Sequence, residues 1–329
     1  MLTGKELILA TKPFAKEIRW RSWYHTLTTL FLLIAAILGS IYQYVPNIFL
    51  NILSSFFTAM LLSRFFIIFH DYQHHTILRN SFPANIIFTI FGIYMITPPN
   101  IWKRSHDHHH NHNAKLFSAS IGSFPIMTRQ KFLEADKNER FVYLAIRHPV
   151  NMFFAYFTTF TFGMCLQSFF SNPRRHWDSL AVLILHYSIG AFFFIHFGWQ
   201  TFLLAFFLPF FLSQMLGSYL FYAQHNFPGV TFKKNVEWSY TNAALESSSY
   251  MELNPFMQWV TANIGFHHIH HLNSKIPFYR LPEAMAAIPE LQEAKVTTLM
   301  PSDIAACLRL KVWDAEQNKM IGFKEMETA

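Results

Sequence analysis

Six apolar runs, at about residues 26–43, 47–69, 81–98, 148–171, 178–197 and 199–222, limit most strongly what this chain can become. A helix rises about 1.5 Å per residue, so about 20 apolar residues cross a hydrocarbon core, and most of these runs are long enough. The composition agrees: 52% of the 329 residues are hydrophobic and only 14% charged, against about 25% charged for a soluble domain. The expectation is a single-domain, all-α integral membrane protein spanning 1–329. It would have about four transmembrane helices, one or two re-entrant or interfacial helices, and a cytosolic helical cap. Residues 1–25 would form a cytosolic segment and 26–222 the membrane helices, interrupted by a cytosolic insert at about 70–147. Residues 223–329 would form the cap.

Charge sets the expected orientation. The net charge of +7 is spread among apolar segments, which suits anionic headgroups and gives no sign of nucleic-acid binding. Lys5, Lys12, Lys16, Arg19 and Arg21 place the N-terminus in the cytosol. No small-residue cleavage site follows the first apolar run, so no cleavable signal peptide is expected. "QYVPN" at 43–47 is uncharged and suits an external turn, and the second helix then brings His70 back to the cytosol. Run 81–98 should dip in and return. Arg174 and Arg175 prefer the cytosol, so 148–171 should lie in the membrane or re-enter it. Runs 178–197 and 199–222 would form a hairpin around "FGWQ", and the last 50 residues read as short helices starting near Pro282 and Ser302. Two cysteines, Cys165 and Cys307, provide no disulfide framework.

Twelve of the 18 histidines crowd into "HDYQHH" at 70–75, "SHDHHHNHN" at 105–113 and "GFHHIHHLN" at 265–273. One histidine in an apolar chain is usually a hydrogen-bonded core residue, and one histidine-rich tract can be an adventitious metal-binding loop. Three clusters that each repeat a helical ligand spacing argue against both readings. At 100° per residue, His70 and His74 share a helix face, as do His106, His109 and His110, and again His267, His270 and His271. His75, His108, His112 and His268 point elsewhere. Asp71 and Asp107 suit partners to imidazole N–H groups better than ligands. One transition metal takes four to six ligands, so eight convergent imidazoles imply two ions of the iron, zinc, copper or nickel type. No protein base removes a proton from a methylene, so oxidation of an acyl chain must be carried by a metal. That favours iron and oxygen over zinc.

The three boxes, H-x3-H and twice H-x2-HH, resemble those of membrane fatty acid desaturases. "FYAQHNFPG" at 221–229 and "QWVTANIGFHHIHHLNSKIPFYRLPEA" at 258–284 look like the bacterial acyl-lipid branch. The resemblance implies two non-haem Fe ions at a cytoplasmic site of the bacterial inner membrane, installing a cis double bond in a membrane-lipid acyl chain with O2 and two electrons. It also implies that His225, which taken alone reads as structural, is a ninth ligand. The large Tyr72 and Gln73 and the extra His75, His108 and His112 depart from the family pattern and leave substrate and bond position open. No "HPGG" haem segment is present, so electrons are expected from a separate ferredoxin-like or similar carrier. The rival readings are a lipid or carotenoid hydroxylase or ketolase of the same superfamily and, from another class, a metal transporter.

Overall fold

The computed structural model describes residues 2–42, 47–116 and 122–327. Four of the five residues of the expected "QYVPN" turn lie outside that set. A short helix α1 (Gly4–Thr11) precedes α2 (Arg19–Tyr42), and α3 (Ile48–Gln73) returns beside it. Asn47 starts α3 by accepting the Phe49 amide at 2.9 Å on its side chain. Helix α3 is the centre of the molecule: Leu61, Leu62, Phe65 and Ile68 are fully buried as it packs between α2 and α11 (Leu208–His225, below). Small hydroxyls knit these helices, with Ser63 Oγ at 3.0 Å from Ser213 Oγ. Arg64, buried in the same helix, donates to Thr29 Oγ1 and the Trp259 carbonyl and lies over the Trp259 ring.

Helices α4 (Phe82–Tyr94) and α5 (Pro99–His112) meet at 93°. The break has a local cause: Ile96 takes a positive φ of 55°, and Pro98 and Pro99 cannot donate to a continuing helix. Its freed carbonyls are capped by side chains. His186 Nδ1 lies 2.8 Å from the Tyr94 oxygen, and Gln214 donates to the Met95 oxygen at 3.2 Å. In an apolar setting, irregular backbone is tolerated only where protein satisfies it in this way.

The insert carries α6 (Arg129–Glu134) and α7 (Lys137–Ile146). Run 148–171 is broken into α8 (Pro149–Phe153), a wide π-helical stretch Tyr156–Leu166, and α9 (Gln167–Ser171). Helix α10 (Trp177–Thr201) runs on into a π-turn at Phe202–Phe207 and α11, an apolar path of 49 residues. That path reverses at Gly198, whose φ of 81° and ψ of 170° favour glycine. The Phe193 and Phe206 rings stand 5.7 Å apart across the reversal, so the expected hairpin around "FGWQ" is present. Among the described residues, three stretches are long and apolar enough to cross a membrane: Arg19–Tyr42, Ile48–Gln73 and Trp177–His225. The bent α4–α5 pair makes a fourth if counted as one.

Beyond His225 the chain forms the cap: α12 (Tyr240–Glu246), α13 (Pro255–Val260), α14 (His267–Leu272), α15 (Leu281–Ala287), α16 (Pro301–Arg309) and α17 (Phe323–Glu327). The starts of α15 and α16 fall at Leu281 and Pro301, beside the expected Pro282 and Ser302. The all-α expectation needs one correction. The cap also holds a parallel pair, β1 (Tyr250–Met251) with β2 (Val296–Thr297), and an antiparallel hairpin, β3 (Val312–Asp314) with β4 (Lys319–Ile321). Asn318 at φ 50° makes the hairpin turn possible, and the "DAEQNK" stretch around it lacks the Asn-Gly signature that announces such turns.

Close packing at the hairpin of α10 and α11 is testable. A side chain at Gly190 would place its Cβ 2.7 Å from the Phe206 ring, whereas one at Gly217 meets nothing within 4 Å. Gly190→Val should lower unfolding stability in detergent by about 1–3 kcal/mol, and Gly217→Val should leave the melting temperature near wild type.

Candidate metal centre

Four segments deliver nine imidazoles to one place. Helix α3 ends at Gln73, yet His74 still has helical φ and ψ of −73° and −2°, so it stays on the face of His70. His75 then turns to φ 56° and leaves that face. Helix α5 projects His106, His109 and His110, α14 projects His267, His270 and His271, and His225 closes α11. Six residues of α14 cannot hold a helix alone. The segment is anchored by the Tyr240 hydroxyl donating to the His271 oxygen at 2.6 Å and by Asn273 donating to Thr11 Oγ1 at 2.9 Å.

The imidazoles form two adjoining groups. His70, His74, His106, His110 and His270 make the first; His109, His225, His267 and His271 make the second. Within each, the candidate ligand atoms lie within 4.8 Å of one another. The Nε2 atoms of His74 and His106 are 2.9 Å apart, those of His106 and His110 3.2 Å, and those of His110 and His270 3.1 Å. In the second group His109–His225, His225–His267 and His267–His271 stand at 3.1, 2.9 and 3.1 Å. The groups touch where the His110 and His271 rings stack at 4.3 Å.

Hydrogen bonds decide what faces inward. A carbonyl only accepts, so His225 Nδ1 donates to the Ser247 oxygen at 3.0 Å and its neutral Nε2 presents a lone pair to the cluster. Ser123 Oγ holds His109 Nδ1 at 2.9 Å, and Asp71 Oδ1 lies 3.5 Å from His70 Nδ1. Burial first, then the neighbouring imidazoles, hold His74, His267, His270 and His271 well below the usual histidine range, so all four stay neutral. Converging neutral lone pairs repel one another unless a cation lies between them. The donor set fits two transition-metal ions, with five imidazoles for one and four for the other.

The remaining candidates separate cleanly. His75 is exposed, and His108 and His112 stack on each other at 4.0 Å away from both groups. His268 is buried but points its Nε2 at the Leu291 oxygen, 3.0 Å away. Asp71 sits beside His70 as expected, whereas Asp107 turns outward to Lys103 at 2.5 Å. Sequence reading missed Ser123, Ser247 and Arg147. Fully buried Arg147 donates to Pro125 O at 2.9 Å, Tyr222 OH at 3.2 Å and Asn226 Oδ1 at 2.6 Å, which ties the Ser123 segment to the end of α11. Its one signal was a lone arginine opening an apolar run. A small cleft lined by Ser123, Arg147, Phe221 and His225 among others reaches the second group from this side.

Comparison with known proteins matches the geometry. The family described as "Fatty acid desaturase" fits residues 46–301, which contain all nine imidazoles. The chain belongs to the fatty acid desaturase family. It is therefore an oxidoreductase of a membrane-bound family. A fatty acid desaturase of Bacillus subtilis is 30% identical over 274 residues, 82% of this chain and 76% of the relative. An sn-1 oleoyl-lipid 12-desaturase of Synechocystis is 25% identical over 272 residues, again 82% and 76%. A chloroplastic omega-6 fatty acid desaturase of Spinacia oleracea is 24% identical over 238 residues, 71% of this chain and 52% of the relative.

Two measurements test the centre. Alanine at any of the nine convergent positions should lower bound metal from about two ions per chain, read by plasma mass spectrometry, while alanine at His75, His108 or His112 should leave it unchanged. The second uses pH. The unfolded chain takes up protons on these histidines near pH 6.5, and the folded metal-free protein resists them. Its melting temperature should therefore fall as pH drops through about 6.5, and hold steady above it. A flat profile between about pH 7.5 and 5.5 would contradict neutral burial.

Proposed function

We propose that this desaturase inserts a cis double bond into an acyl chain of a membrane lipid, consuming O2, two electrons and two protons and releasing two waters. The nine imidazoles in adjoining groups of five and four carry the reading. Bound iron would supply the O2-dependent removal of two methylene hydrogens, chemistry that no side chain can perform. The chain's own part is to hold His225 Nε2 neutral and its eight partners turned inward, to brace His109 through Ser123, and to keep water from the buried imidazoles. Electrons would come from a separate ferredoxin-like or similar carrier.

The same reading sets the centre on the cytoplasmic side of a bacterial inner membrane, with 1–25, the 70–147 insert and the 223–329 cap in the cytosol. The positive N-terminal segment supports this orientation. A re-entrant α4–α5 is supported by two contacts on one helix. Tyr94 O meets His186, while Asn100 N donates to Asp178 at 3.0 Å, eight residues and about 12 Å nearer the start of α10. The chain therefore climbs back toward the side it left.

Expression in a bacterium that makes only saturated lipids tests the reaction. Lipids two hydrogens lighter should appear with the wild-type chain and not with an equally expressed His109→Ala variant. Oleoyl lipids should be offered as well, because the Synechocystis relative is named for them. A gain of one oxygen would make the enzyme a hydroxylase, and an unchanged profile with metal bound would sink the proposal.

A further inference from the structure

A basic surface lies directly beside the first imidazole group, assembled from three segments. Arg79 comes from the loop after α3, Lys103 from α5 one turn before His106, and Lys275 from the loop after α14. Lys275 Nζ donates to the backbone oxygen of His74 at 2.5 Å. Arg79, Lys275 and His75 are exposed, and the Lys103 side chain is 30% exposed. The cations crowd one another: partial burial, then Lys103 and Arg79, lower the Lys275 ammonium, and burial with Lys103, Lys275 and Arg79 lowers His75. Asp107 is the carboxylate among them and is bonded to Lys103, while Glu17 and Arg19 nearby pair at 3.7 Å. Among the described residues no carboxylate lies in ion-pairing range of Arg79 or Lys275.

The function proposed above consumes two electrons that must enter through the surface, and this inference rests on that reading. His106 is partly exposed while the other four imidazoles of the first group are buried, so this group meets solvent through His106, one turn from Lys103. The bond from Lys275 to the His74 oxygen continues covalently to the His74 ring. We propose that Arg79, Lys103 and Lys275 form the docking surface for a small acidic redox protein, which passes electrons to the first group by way of His74 and His106. Like-charged residues left uncompensated on one face raise association rates with a partner of opposite charge and make its binding salt-dependent.

The test uses the full-length, iron-loaded protein in neutral phosphatidylcholine nanodiscs, so that lipid charge does not compete, with an acidic [2Fe–2S] ferredoxin as probe. Wild-type binding should weaken steeply between about 50 and 200 mM salt. The double variant Arg79→Glu, Lys275→Glu should bind at least about tenfold more weakly, with little further salt dependence. Arg79→Glu alone, at a side chain outside both imidazole groups, should show part of the loss with iron content unchanged. Equal affinity of wild type and both variants for ferredoxin would overturn the proposal. So would unchanged ferredoxin binding with weakened binding to phosphatidylglycerol, which would make the surface a lipid-phosphate site. Binding is read without turnover, so its failure is distinct from failure of the desaturase reading, which shows as no double bond in wild type under dithionite.

Discussion

Eight neutral imidazoles pressed to nitrogen separations of about 3 Å, with His70 packed beside them, are the constraint on which the rest of the molecule depends. Lone pairs brought that close repel, and buried imidazoles cannot relieve the repulsion by taking up protons without paying for desolvated charge. The cluster therefore depends on a scaffold that fixes some rings from behind and on room for a cation in front. The Nδ1 atoms of His110, His267 and His270 are buried without a partner among the described residues, which makes the fixed Nδ1 bonds of His225 and His109 the firmest points of the site. A six-residue helix is too short to stand alone, so α14 rests on its anchors at Tyr240 and Asn273 and would gain further stability from an ion held by its three inward histidines.

The bilayer imposes the second condition, and the same elements meet both. Helix α3 is buried on several sides by Leu61, Leu62, Phe65 and Ile68, and the rigidity this gives is what delivers His70 and His74 at a fixed height. The break between α4 and α5 turns α5 so that its histidines face the cap, and it exposes two carbonyls in an apolar setting. His186 and Gln214, from two neighbouring helices, accept that liability. His186 is thus the ordinary reading of a histidine in an apolar helix, a satisfied structural residue with Tyr156 OH at 2.7 Å on its other nitrogen. It sits a few turns from nine histidines with another role, and its spacing from other histidines marks the difference.

How much of this the sequence reveals depends on whether a local rule governs the residue. Eight imidazoles converge as the 100° rule predicts because α5 and α14 are helical and because His74, one residue past α3, keeps helical angles. His75, one residue further, shows how narrow that success is. His225 follows no spacing rule: its place comes from the end of a helix some forty residues before α14, and only the family pattern pointed to it. Ser123 and Ser247 were invisible because their work is done through a single hydrogen bond across the chain. The β3–β4 hairpin was missed because its six strand residues are too few to show alternation beside a long helical cap. Segment 148–171 reads from its sequence as lying in the membrane or re-entering it, but nothing in its composition announces a π-helical stretch.

Arg147 joins these strands of the argument. A fully buried guanidinium is costly unless its donors are met, and here its two terminal nitrogens are met by atoms from separate parts of the chain: Pro125 O, Tyr222 OH, Asn226 Oδ1 and, at 3.4 Å, Leu310 O, while Nε has no partner among the described residues. Asn226 follows His225 directly, and its amide also donates to Cys307 O at 2.7 Å in α16. Pro125 lies two residues from Ser123, which braces His109. Lys311, next to β3, donates to the Arg147 carbonyl at 3.0 Å. One residue between α7 and α8 therefore fixes two members of the four-imidazole group against the C-terminal part of the chain. The five-imidazole group is tied differently: Asp71, next to His70, accepts from the Phe278 amide at 2.7 Å, and Lys275 donates to the His74 oxygen, so the end of α3 is joined to the segment just after α14. The two groups touch through His110 and His271 but answer to different supports, so a disturbance in the last thirty residues reaches the second group first.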